Sequence, residues 1–96
     1  MTAVELVVEY GKREREQSGD TMRRYWDGFL ASAYAALYGI DDDADDCVFS
    51  LYMDLSDNAD NEEQRSLAEA LKREHGAVIG KFAGEITDMV DRLQTE

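Results

Sequence analysis

The chain has 96 residues, 44% of them hydrophobic and 33% charged, a balance that predicts a single soluble domain over 1–96. Its 22 acidic residues against 10 basic ones leave a net charge of −12, which argues against direct binding to nucleic acid or to an anionic membrane, since no basic patch is there to release counterions from phosphates. One cysteine excludes an internal disulfide frame, and no apolar run approaches the ~18 residues of a membrane span, so a reducing cytoplasm is the expected compartment.

The opening Thr2-Ala3-Val4-Glu5 fits a capping box, with Glu5 three residues after Thr2. Val4, Val7, Val8 and Gly11 then share a helical face, which predicts a helix to about Gln17. A strand near 4–10 is the competing reading, because Val4, Leu6, Val8 and Tyr10 also alternate. Nothing resembling a basic region followed by an apolar run stands here, so no signal peptide is expected. Ser18-Gly19-Asp20 reads as a break, with Gly19 suited to a left-handed turn and Asp20 to the next N-cap.

Met22, Trp26, Phe29, Leu30, Ala33 and Leu37 recur at helical spacing, and Ala31, Ala35 and Tyr38 make even the back of this segment small or apolar. The pattern predicts a central helix near 20–38, closed by Gly39 with Ile40 folding back as in a Schellman motif. Val48, Leu51, Tyr52 and Leu55 have the spacing of a third helix, although Val48, Phe49 and Tyr52 would also suit a strand near 47–55. Asp60 with Glu63 resembles another capping box, and Leu67, Ala68, Ala70 and Leu71 carry a fourth helix to His75, where Gly76 ends it. In the last segment Ile79, Phe82, Ile86, Met89, Val90 and Leu93 form one apolar face opposite Lys81, Glu85, Asp88 and Arg92. Gly76, Gly80 and Gly84 mark one edge at four-residue intervals. Each glycine costs a helix about 1 kcal/mol against alanine, so close approach of another backbone is expected there, from the alanine-rich central helix or from a second copy of the chain. The fold class these readings predict is all-α, four to five short helices around the central one, with α+β as the alternative.

Charge is distributed unevenly. Between Asp41 and Glu63 stand ten acids and no base: Asp41, Asp42, Asp43, Asp45, Asp46, Asp54, Asp57, Asp60, Glu62 and Glu63. The remainder of the chain is nearly balanced, with twelve acids against ten bases. A calcium loop starting at Asp41 fails where it matters, because Asp46 occupies the position of the turn glycine and Tyr52 that of the bidentate carboxylate. Gly76 to Lys81 has one residue too few between its glycines for a phosphate loop, and Phe82 replaces the magnesium-binding hydroxyl. One Cys and one His do not make a zinc site. His75 fits ordinary helix-end chemistry, and Cys47 has no cationic neighbour in sequence to activate it. No cofactor, metal or enzymatic activity is therefore expected.

Trp26-Asp27-Gly28, followed by Ala31, Ala33, Tyr34 and Ala36, resembles the Trp-x-Gly segment of small helical-hairpin secretion substrates. That family would place the tripeptide in a mid-chain turn and carry a C-terminal Tyr-x-x-x-Asp/Glu signal, which this sequence lacks. The function the residues point to is a non-enzymatic, acidic interaction protein that docks on the basic, nucleic-acid-binding groove of a partner, with Phe49 and Tyr52 as anchors beside the carboxylates. Phage-encoded anti-CRISPR and anti-restriction inhibitors are similar in type, although no motif here marks such a family. The alternative is a structural helical module that self-associates as a homodimer through the Gly76/Gly80/Gly84 edge, with the acidic segment a solvated loop and turn that has no partner.

Overall fold

The computed structural model describes residues 1–40, 44–57 and 61–95. Four helices account for nearly all of them: α1 (Ala3–Gln17), α2 (Asp20–Tyr38), α3 (Ala44–Ser56) and α4 (Glu62–Thr95), with no strand among the described residues. The segments that could have been strands, near 4–10 and 47–55, are helical. In α1 the decision is made locally and by packing together. Thr2 Oγ1 accepts from the Glu5 amide at 3.2 Å and Glu5 Oε1 from the Thr2 amide at 3.0 Å, so the expected capping box is formed. Glu5 is held below the usual carboxylate range by its hydrogen bonds from the Thr2 backbone and side chain. Ala3, Val4, Val7, Val8, Tyr10 and Gly11 are then buried on one helical face.

Consecutive helices pack against one another, and α4 closes the ring against α1. The pairing is antiparallel throughout. Arg13 of α1 pairs with Glu63 at the start of α4, while the carboxylate of Glu74, further along α4, accepts the Ala3 amide at 3.1 and 3.0 Å. That contact satisfies an N-terminal donor of α1 that the helix itself leaves open. On α3, Phe49 meets Phe82 of α4 with ring centroids 5.6 Å apart. The core draws on all four helices, with Val7, Leu51, Leu55 and Leu71 its most deeply buried large side chains.

α2 is less buried than its composition predicted. Trp26, Phe29 and Ala33 face the core and Leu30 and Leu37 are half-buried, but Met22, at the start of the expected stripe, is exposed, as are Tyr25 and, on the back, Tyr38. The aromatic side chains meet edge-on, Tyr10 with Trp26 at 5.8 Å and Trp26 with Phe29 at 5.3 Å, as the ring quadrupoles prefer. Trp26-Asp27-Gly28 lies inside this helix rather than in a turn. The helix ends as expected, with Gly39 left-handed at φ 61° and the Ile40 amide donating to Ala35 O at 3.1 Å. The preceding junction differs from expectation: Gly19 is extended (φ −76°, ψ 175°) and is itself the N-cap, and Asp20 is the first helical residue.

At Gly11 the side chains of α2 press directly on the backbone of α1. A Cβ there would stand 2.9 Å from Leu30 Cδ2 and 3.0 Å from Phe29 Cδ1. The Leu30 tip can rotate away, but the Phe29 ring is wedged between Tyr10 and Trp26. Gly11→Ala should therefore destabilise, since overpacking of ~1–3 kcal/mol outweighs the ~1 kcal/mol gained in helix propensity. Gly80→Ala should do the opposite, because a Cβ at Gly80 meets nothing within 4 Å and the gain of ~0.5–1 kcal/mol stands alone. Urea unfolding of the two variants reads both signs.

The expected break at Gly76 is a kink and not a stop. His75 leaves helical geometry (φ −124°, ψ 30°), yet the helix continues to Thr95. Nor do the three glycines pack against α2: a Cβ at Gly76, Gly80 or Gly84 would meet open space. Beyond Ile79, which is buried, and Phe82, which is half-buried, every described side chain of α4 is exposed. The helix outruns its neighbours and projects from the globule. This explains a radius of gyration of 14.4 Å and a long axis of 46 Å, against roughly 12.5 Å expected for a compact chain of this length.

Candidate partner-binding surface

The acidic segment folds around α3. Asp45 and Asp46 are exposed in its first turn, where the positive end of the helix dipole favours them. Asp54 and Asp57 are exposed at its other end, and Glu62 and Glu63 open α4. Asp41, Asp42, Asp43 and Asp60 lie outside the described residues. The N-cap of α4 is Asn61, whose Oδ1 accepts the Gln64 amide at 3.1 Å, one residue later than the Asp60–Glu63 reading placed it. At 1.5 Å per residue, Asp46 and Asp54 are separated by about 12 Å along the helix axis. Among the described residues, the ion pair that neutralises one of these acids is Glu63–Arg13, on the exposed α1–α4 seam.

The two expected anchors have different surroundings. Phe49 is half-buried and packed on Phe82, so part of its ring area is already used within the fold. Tyr52 is also half-buried and lines a surface groove of about 280 Å³ between α3 and α4, together with Ser56, Arg65, Ala68, Glu69 and Lys72. Arg65 and Lys72 make this groove mixed in charge, which the sequence did not suggest because both lie outside the acidic segment. A second groove, of about 250 Å³, runs past Thr2, Ala36, Glu74 and His75 at the α4 kink. Both fall short of the ~300–1,000 Å³ of ordinary small-molecule pockets.

Among the described acids of the segment, Asp54 has a shifted carboxyl. Partial burial, and then the like charge of Asp57, push its carboxyl above the usual range. Its neighbour across the α2–α3 seam is Tyr25, whose phenol is raised by burial and then by the Asp54 charge. A folded-state pKa above the unfolded one means that the ionised carboxylate opposes folding once pH passes the ordinary Asp range. Asp54→Asn should therefore raise the unfolding midpoint at neutral pH, and the gain should fade as pH drops below that range and the wild-type carboxyl becomes neutral. Thermal unfolding of both proteins at neutral and acid pH measures the difference.

Residues 44–52, which would have formed most of a calcium loop, are helical, as is the Gly76–Phe82 stretch. Among the described residues, no group of three or more His, Cys, Asp or Glu side chains is placed to hold a metal ion. Cys47 is half-buried. No described helix is long and apolar enough to cross a membrane. No protein-family model, curated protein or solved structure matches this chain.

Proposed function

We propose that this chain is a non-enzymatic interaction protein that docks its acidic segment on a basic, nucleic-acid-binding surface of a cytoplasmic partner and so inhibits that partner as a nucleic-acid mimic. The observation that carries the reading is the rigid presentation of charge. Asp45, Asp46, Asp54, Asp57 and Glu62 are exposed at or beside helix ends, where their backbones are fixed, and not along a flexible tail. The segment holds ten acids and no base. Asp45, Asp46 and Asp54 stand on α3 itself, a helix of about 20 Å, with Asp57 just past its end and Glu62 at the start of α4. Lys and Arg side chains arranged to hold phosphates would gain electrostatic steering and charge-assisted hydrogen bonds from such a surface. Tyr52, in its groove beside Arg65 and Lys72, supplies a half-exposed aromatic ring next to the charged end.

Capture from a host lysate tests the reading. The immobilised chain should retain a basic nucleic-acid-binding protein at low salt and release it at high salt, and added nucleic acid should compete for the same site. Retention that is indifferent to salt and to competitor nucleic acid would count against it.

A further inference from the structure

The projecting end of α4 carries an apolar face that stays exposed among the described residues. Ile86 and Val90 are about half exposed, Met89 is 60% exposed and Leu93 is 74% exposed. A contiguous apolar face on a soluble protein marks a contact surface. Its spacing suits a paired helix. Ile79, Phe82, Ile86, Met89 and Leu93 are separated by three, four, three and four residues, the a and d positions of a coiled coil. Glu85 and Arg92 then occupy the flanking g positions, and Ala83 and Val90 the e positions.

We infer that this end of α4 pairs antiparallel with the same segment of a second copy. The segment is self-complementary. In an antiparallel pair a residues face d′ residues, so Ile86 meets Met89′ on both sides of the two-fold axis, while Phe82, packed on Phe49, presents only its uncovered edge to Leu93′. On one flank g faces g′, which sets Glu85 against Arg92′ twice. On the other flank e faces e′, which sets Ala83 against Val90′ twice with no charge to bury. Such an arrangement is isologous and closed, as two-fold dimers require. A parallel pair offers none of this: g would face e′, leaving Glu85 opposite Val90′, and the two globules would be driven together at the same end of the seam. Antiparallel pairing puts the globules at opposite ends. The glycine edge lies outside the seam, since Gly80 and Gly84 fall at the outer b and f positions. This inference concerns a different surface from the acidic segment and stands or falls separately from the proposed function.

Sedimentation equilibrium of the full chain from micromolar to millimolar concentration tests it. The wild type should associate to a dimer whose affinity does not fall as salt rises, because screening relieves the repulsion between two chains of net charge −12. Ile86→Glu should be monomeric, with the circular dichroism and unfolding midpoint close to those of monomeric wild type, since Ile86 is 47% exposed and lies outside the buried core. Gly80→Leu should dimerise like wild type. Glu85→Arg and Arg92→Glu should each weaken dimerisation about tenfold, because two attractive exposed pairs become repulsive. Mixed together, these two variants should form a heterodimer as tight as wild type, since each Arg then faces a Glu. A wild type that stays monomeric at millimolar concentration overturns the inference. So does a dimer that survives Ile86→Glu, or a charge-swapped mixture that gains nothing over its components.

Discussion

Replacing Leu71 with alanine should lower the stability of the fold by about 3–4 kcal/mol, the middle of the range for a fully buried leucine. Leu71 has no exposed area and lies in the half of α4 that closes against α1 and α3. Truncation removes its transfer energy and leaves a cavity that the surrounding helices, tied by the Phe49–Phe82 ring contact and the Glu74–Ala3 hydrogen bonds, cannot collapse to fill. The better helix propensity of alanine recovers only a few tenths of a kcal/mol. A domain of this length has roughly 5–14 kcal/mol in all, so the loss is a large share of the total. The same substitution at Leu93, on the same helix but 74% exposed, should change stability by less than ~0.5 kcal/mol. Urea unfolding of both variants, with an unchanged slope, separates the packed half of α4 from the projecting half. Equal losses would mean that Leu93 is covered in the monomer, contrary to the structure.

That contrast also marks what the sequence made legible. Periodicity states which face of a helix is apolar, and it did so for α1 through Val4, Val7, Val8 and Gly11, and for α3 through Val48, Leu51 and Leu55. In both segments, strand-favouring residue types competed with that spacing, and for α1 the capping box and the four-residue repeat agreed against them. Periodicity does not state which element covers an apolar face. The stripe from Ile79 to Leu93 reads as core in isolation. It is exposed because α4 has 34 residues while α3, which covers its first half, has 13. Gly76 hid this by suggesting that one helix stopped and another began. A single left-handed glycine would have done so, but Gly76 remains helical and the deviation falls on His75. The glycine spacing misled for a related reason: a missing side chain permits close approach without requiring it, and only Gly11, inside the α1–α2 seam, uses that freedom.

The acidic segment was legible as composition, and its arrangement was not. Tyr25 lies beside Asp54 only because α2 and α3 run antiparallel, and Tyr52 shares a groove with Arg65 and Lys72 only because α4 folds back along α3. These are long-range consequences of topology that no local pattern of charges encodes.

The central claim, that the acidic segment is the binding surface, is tested most directly by neutralising it where it is densest. Substituting Asn for Asp42, Asp43, Asp45 and Asp46 removes four negative charges while keeping side-chain size. Asp45 and Asp46 are exposed in the first turn of α3, and Asn remains acceptable at a helix start, so the fold should survive with its helix content intact. Loss of favourable dipole contacts should cost at most about 1–2 kcal/mol, and relief of repulsion among neighbouring carboxylates offsets part of that. Binding should respond far more strongly, because each carboxylate facing a desolvated Lys or Arg leaves that cation without its partner. The measurement is the affinity of the wild-type and four-Asn proteins for the captured basic partner, taken across a series of salt concentrations alongside an unfolding curve for each. The account predicts a folded variant that binds at least tenfold more weakly, a loss of more than ~1.4 kcal/mol, and a shallower dependence on salt than the wild type shows. A folded variant that binds as tightly as wild type, at every salt concentration, would contradict it.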